Sequence, residues 1–151
     1  MPFDAPFKLG PFSVDSEGRL SPNEPAAAPA FLFRWHNRLV RARLDRADAE
    51  TGQLTLHVAL ARVRSSASTP DETLRPRSFA LLHFLERAVP AAWRVLLLPD
   101  HRVWLETKTS IGLPITAAGL ITEITMFAIA LAPFLELLDE IGLTVSDPAP
   151  A

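Results

Sequence analysis

The chain contains no cysteine, which excludes disulfides, thiolate nucleophiles and cysteine-based zinc sites. Its six glycines never gather into a phosphate-cradling loop, and no serine sits in a GxSxG elbow. Net charge is nearly absent: 15 Lys and Arg against 17 Asp and Glu leave −2. That balance offers no overall basic field for nucleic acid and no acidic block for a cationic partner. The start, MPFDAPFKLG, has neither the basic n-region nor the apolar h-region of a signal peptide, so a cytoplasmic protein is expected. No internal repeat or low-complexity tract is visible.

What is present belongs to the globular class: 151 residues, 48% hydrophobic and 21% charged, enough to bury a core as one domain. The expected organisation is a hairpin and Pro/Ala-rich connector over 1–30, a compact core over 31–143 and a flexible tail over 144–151. The dominant stretch is Thr116–Leu143, whose period predicts one long helix with Thr116 as N-cap and Gly142 as its left-handed stop. Leu120, Ile121, Ile124, Phe127, Leu131, Phe134, Leu135 and Leu138 fall in one broad stripe, the expected core face. The opposite side is also apolar at its middle, with Met126, Ile129, Ala130, Pro133 and Leu137, and turns polar only towards its ends. Glu123 and Glu136 bracket a run shorter than the ~20 residues a bilayer demands, so no membrane span is expected. Pro133 removes a backbone donor, which predicts a kink or a restart there.

Along the chain, PFSV-DSEG-RL reads as a short hairpin with Gly18 left-handed, and Ser21–Ala30 as an extended connector. Phe31, Phe33 and Trp35 alternate with Leu32 and Arg34; the phase then breaks at His36-Asn37 and resumes through Val40, Ala42 and Leu44. A tight turn joining two antiparallel strands explains both runs. A third strand carries Leu54, Leu56, Val58 and Leu60. Thr69-Pro70-Asp71-Glu72 has the form of a capping box, and RSFALLHFLERAV puts Phe79, Leu82, Leu85 and Val89 on one helical face. Trp93–Thr109 reads as a hairpin around Pro99-Asp100-His101, with Trp93, Val95 and Leu97 on one face and Leu96, Leu98 and Trp104 on the other. The order predicts an α+β domain: one antiparallel sheet of five to six strands, meander plus hairpin, with two helices packed on one face in two layers.

Candidate chemistry is sparse. His36, His57, His83 and His101 lack any metal-ligand spacing, and His101 beside Asp100 is explained by local turn hydrogen bonding. The acidic loop Asp45, Asp48, Glu50 with Gly52 lacks the oxygen spacing of a calcium loop and reads as a solvated turn. Arg34, Arg41, Arg43 and Arg62 can line one sheet face, where they keep it wet or hold a carboxylate or acidic peptide. Trp35, Trp93 and Trp104 are assigned to core or interface edges, where each indole N–H finds a partner. No catalytic, cofactor or metal residues are assigned.

The run FLFRWHNRLVRARLD, the helix RPRSFALLHFLERAVP, the hairpin WRVLLLPDHRVWLE and the ending APFLELLDEIGL together resemble small bacterial proteins with the type III secretion chaperone-like fold, including the YbjN-type group. The resemblance spans Phe31–Leu143 and lies in element order and apolar pattern. It implies a compact α+β domain, often dimeric, whose surface binds a segment of another protein. The chain departs from the secretion chaperones in its proline-rich, strand-like start and in lacking their strong acidity. The expected function is therefore a non-enzymatic protein- or peptide-binding homodimer, chaperone-like or regulatory, without nucleic acid or membrane. Its expected interaction patch is Met126, Ile129, Ala130, Pro133, Leu137 and Trp104. The alternative is a small-molecule sensor or enzyme with a pocket between sheet and helices.

Overall fold

In the computed structural model the residues described are 7–24, 27–62, 80, 83–99 and 102–140. Eight strands run in chain order: β1 (Phe7–Leu9), β2 (Phe12–Val14), β3 (Leu20–Pro22), β4 (Ala30–Trp35), β5 (Arg38–Arg46), β6 (Thr51–Arg62), β7 (Trp93–Leu97) and β8 (Arg102–Gly112). A short helix, α1, covers 83–88 before β7, and α2 (Ala117–Glu140) follows β8. The class is α+β, with antiparallel sheets and two helices. A single sheet of five to six strands is corrected to two: β1-β2-β3, and a five-stranded sheet in the order β4-β5-β6-β8-β7.

The split has a local cause. Gly10 at φ 55° closes a tight turn that lets Phe7–Leu9 pair with Phe12–Val14, a strand beyond the expected hairpin. Beyond β3 the chain reads PNEPAAAPA, where proline removes the amide donors that would carry a ladder onward to β4. The expected left-handed Gly18 is present at φ 81°.

In the large sheet His36 (φ 48°) and Asn37 (φ 59°) are both left-handed, and Trp35 pairs with Arg38 across them. Two left-handed residues make the turn that matches strand twist in a two-residue hairpin, and asparagine tolerates that region. The register then follows: Val40 opposite Val58, Ala42 opposite Leu56, Leu44 opposite Leu54, and Val58 opposite Leu105. All of these are buried on one face. A register shift between Ala59 and Ala61 breaks the alternation late in β6, so that Ala61 meets the buried Val103.

Helix α2 supplies the other half of the core. Thr116 caps it, its hydroxyl accepting the Gly119 N–H at 3.0 Å. Ala117, Leu120, Phe127, Ala128, Leu131, Leu135 and Leu138 are buried, with Ile124 and Phe134 packed partly against the same cluster. Ile121 is corrected: it is 57% exposed, at the margin of the stripe, where the smaller Ala128 takes the buried place further along the helix. The helix runs unbroken through Pro133 and does not restart there. Pro133 and Ile129, the residue four positions back, are both exposed, so the carbonyl that loses its partner lies on the wet side.

Both ends of α2 are fastened. At the start, the Ala117 N–H donates to Gly18 O at 2.8 Å and the Leu20 N–H to Ile115 O at 2.9 Å, docking the small sheet through Phe12, Val14 and Leu20 into the common core. At the end, Arg38, 2% exposed, holds Asp139 at 2.8 Å and donates to Leu60 O at 2.7 Å. The last turn of α2 has no basic residue, so this guanidinium offsets carboxylates placed against the helix dipole. Leu85 in α1 and Val89 just after it are buried as expected, while Phe79 and Leu82, the capping box 69–72, the turn residues 100 and 101, Gly142 and the tail 144–151 lie outside the described residues.

Two stability outcomes are expected from urea denaturation. Leu135→Ala lowers unfolding free energy by about 2–5 kcal/mol through lost burial plus a cavity. Asp139→Ala, which leaves the buried Arg38 guanidinium without its carboxylate, costs about 1–3 kcal/mol.

Candidate functional site

The outer face of α2 is built by its own periodicity. Met126, Ala130, Pro133 and Leu137 succeed one another at spacings of four, three and four, with Ile129 beside them, so they share one side of the helix. Met126 is 63% and Ile129 60% exposed, and Ala130 and Pro133 are exposed too. Leu137 is only partly so, because it packs against the core. Glu123 is the one charge between Ala117 and Leu135. By length and composition α2 passes as a membrane-spanning helix, and 28% of its most apolar 18-residue window is buried.

Trp104 does not join this patch. In β8 it alternates with the buried Val103 and Leu105, and it pairs with Ala59 and Leu96, which places it on the opposite face of the sheet. Its indole Nε1, like that of Trp35, is buried without a hydrogen-bond partner among the described residues, contrary to the expectation that each indole N–H is matched.

The sheet face that carries Trp104 has a cross-strand pattern. One transverse row reads Ala59, Trp104, Leu96 across β6, β8 and β7, with Arg34 opposite Leu39 on the β4–β5 pair, and the next reads Leu32, Arg41, His57, Glu106, Arg94. Beyond it come Ala30, Arg43, Thr55 and Lys108. Arg34, Arg41 and Arg43 therefore do share one face, as expected. Arg62 lies opposite Arg102 at the far end of β6, and both make interactions of their own. Sequence reasoning missed His57, Glu106, Arg94 and Lys108 as neighbours, since the pairing of β6 with β8 brings together residues about fifty positions apart; only the strand alternation in each segment hinted at it.

Within that row His57 Nε2 lies 2.7 Å from Glu106 Oε2, and Arg94 and Lys108 each reach within 3.9 Å of the other carboxylate oxygen. The His57 hydrogen bond, helped by the Lys108 and Arg94 charges, holds the Glu106 carboxyl below its ordinary value of 4.5 against the opposing effect of desolvation. The other histidines are dispersed: His36 stands edge-on to Trp35 in its turn, exposed His83 lies 3.7 Å from Glu86, and His101 is outside the described residues. No cluster able to hold a metal ion occurs among the described residues. In the acidic loop, the Glu50 and Thr51 N–H groups both donate to Asp48 Oδ1 at 2.8 Å, which makes Asp48 the organiser of its own turn.

Two cavities, of about 400 and 360 Å³, lie beside the N-terminal sheet and the connector. Their walls are mainly apolar, including Phe12, Leu44, Pro114 and Ile115, with Arg46 the charged residue of the larger. Neither is lined by α1 or α2, so neither corresponds to a pocket between sheet and helices. No family model, curated protein or solved structure matches the chain.

Glu106 generates an acid-sensitivity prediction. A carboxyl whose pKa is depressed by folding contributes stability above its unfolded value and loses it as pH falls through the folded one. Stability of the wild type should therefore fall as pH drops below about 4.5. Glu106→Gln should flatten that limb in urea titrations made at successive pH values; an unchanged slope counts against the pair.

Proposed function

We propose that this chain is a non-enzymatic protein- or peptide-binding domain, chaperone-like or regulatory, that acts in the cytoplasm as a homodimer. The reading treats the large sheet and both helices as a two-layer core, with α1 and α2 together on the face bearing Val40, Leu56 and Val58. The observation that carries it is the exposure of Met126 and Ile129 in the middle of a helix whose other side is core. Hydrophobic side chains standing out singly are ordinary, but a contiguous row on the order of a few hundred Å² is characteristic of interaction sites. The element order is also the one on which the resemblance to the secretion chaperone-like fold rests.

Electrostatics favours one geometry for the pair. Glu136, Asp139 and Glu140 crowd the end of α2, and its first turn has no acidic residue. Two copies of α2 crossing antiparallel near Ile129 would keep the acidic ends apart and bring each towards the positive end of the partner helix. A parallel pair would stack like charges. The antiparallel contact is also self-complementary, as a closed two-fold dimer requires. One helix per copy buries area at or below the low end of the ~1,200–2,000 Å² typical of stable complexes, so the pair should be reversible.

Membrane insertion is the reading this one displaces. Spanning a bilayer would withdraw Leu131, Leu135 and Leu138 from the sheet and break the Arg38–Asp139 pair.

Light scattering after size exclusion is the test. The wild type should move towards twice the 16.6 kDa chain mass as concentration rises. Met126→Glu should remain monomeric, with unfolding free energy changed by less than about 1 kcal/mol. A wild type that stays monomeric at every concentration defeats the dimer. Flotation of the wild type with liposomes, lost in Met126→Glu, would make the face a membrane surface.

A further inference from the structure

The molecule's charge is sorted between its two sides. Helix α2 carries Glu123, Glu136, Asp139 and Glu140 and no basic residue. The sheet face turned away from α2 carries exposed Arg34, Arg41, Arg43, Arg94 and Lys108. Against these cations stand only Asp45 and Glu106 among the described residues of that face, although the whole chain is net negative. Asp45 is taken by Arg43 at 2.8 Å, and Glu106, hydrogen-bonded to His57 at 2.7 Å, is shared by Arg94 and Lys108 at 3.9 Å each, so the five cations outnumber the carboxylates of the face. Arg34 and Arg41 have no carboxylate partner among the described residues. Uncompensated cations on one wall repel one another and focus a positive potential over it. An anionic partner relieves both effects at once.

We propose that this open sheet face, centred on Arg41, Arg43, Arg94 and Lys108, is a docking surface for an acidic peptide segment of a partner protein. The neighbouring apolar row specifies the segment further. Ala59, Trp104 and Leu96 run parallel to the cations one row away, so a bound segment presents carboxylates on one edge and an apolar side chain on the other. Leu32, 59% exposed at the end of the cationic row, extends the apolar contact to the edge strand.

The same geometry disfavours other anions. Sheets that bind single-stranded nucleic acid offer projecting rings on which bases stack. Here the described rings are Trp104 and His57, both partly covered, and Trp104 has its Nε1 buried. Among the described residues no helix projects from this face to enter a duplex groove. The acidic helix of a second copy is disfavoured because helix-to-sheet contact is head-to-tail and builds open chains.

The proposal shares with the dimer reading only the class of partner and uses the opposite side of the molecule, so the two fail separately. The probe is a fluorescein-labelled peptide of alternating Glu and Leu, with its Gln–Leu counterpart, measured by fluorescence anisotropy on the full chain. The Glu peptide should bind in a salt-sensitive manner and the Gln peptide at least about tenfold more weakly. R41E/R43E should weaken the Glu peptide by about tenfold or more while keeping the wild-type far-ultraviolet circular dichroism, and Met126→Glu should leave it unchanged. Arg94→Gln, a single neutralisation on the far hairpin, guards against misfolding of the double variant and should weaken binding in the same direction. Equal binding of the two peptides, no binding, or tighter binding of an oligothymidine strand or phosphatidylserine vesicles overturns the proposal.

Discussion

Leu131, Leu135 and Leu138 have no exposed surface and belong to one buried cluster with Val40, Leu56, Val58 and Leu105 of the large sheet. Each buried leucine is worth roughly 1.5–3 kcal/mol relative to exposure. This contact decides the rest of the molecule. It fixes which stripe of α2 points inward, and therefore which residues point out. It also selects the register of the sheet, because a slip by one residue in β5, β6 or β8 would send arginine, histidine and glutamate under the helix.

The fastening of α2 follows from that contact. A helix this apolar is poorly anchored by its own surface, so its direction is set at the ends. The backbone bonds to Gly18 and Leu20 hold the first turn, and Arg38 holds the last through Asp139. Arg38 sits on the buried face of β5 only because it follows the His36-Asn37 turn directly, which gives its guanidinium two carbonyl acceptors, Leu60 O and His36 O, within the sheet. A buried guanidinium without such acceptors would be costly.

Burying one stripe of α2 and one face of the large sheet leaves two surfaces of opposite character. The outer side of α2 is apolar at its centre and acidic at its end; the outer side of the sheet is basic around an apolar row. On the sheet side, the hydrogen bond from His57, helped by the Lys108 and Arg94 charges, holds the Glu106 carboxyl below its ordinary value.

The amino-acid sequence by itself determined the elements: strand alternation from Phe31 to Leu60, the His36-Asn37 turn, the Trp93–Thr109 hairpin and the long capped helix are all written in local periodicity and turn residues, which act over a few positions. It also marked Met126, Ile129, Ala130 and Pro133, since a helical stripe needs only spacing to be seen. Only the tertiary structure decided that the N-terminal strands form a sheet of their own, that Ile121 faces solvent, and that Trp104 lies across the sheet from the helix patch. Those outcomes depend on which strand pairs with which, and pairing β6 with β8 joins residues far apart in the chain. The cationic face arises the same way: Arg41 and Arg94 gain a common surface because backbone hydrogen bonds across β5, β6, β8 and β7 align them, a relation that no spacing within either segment encodes.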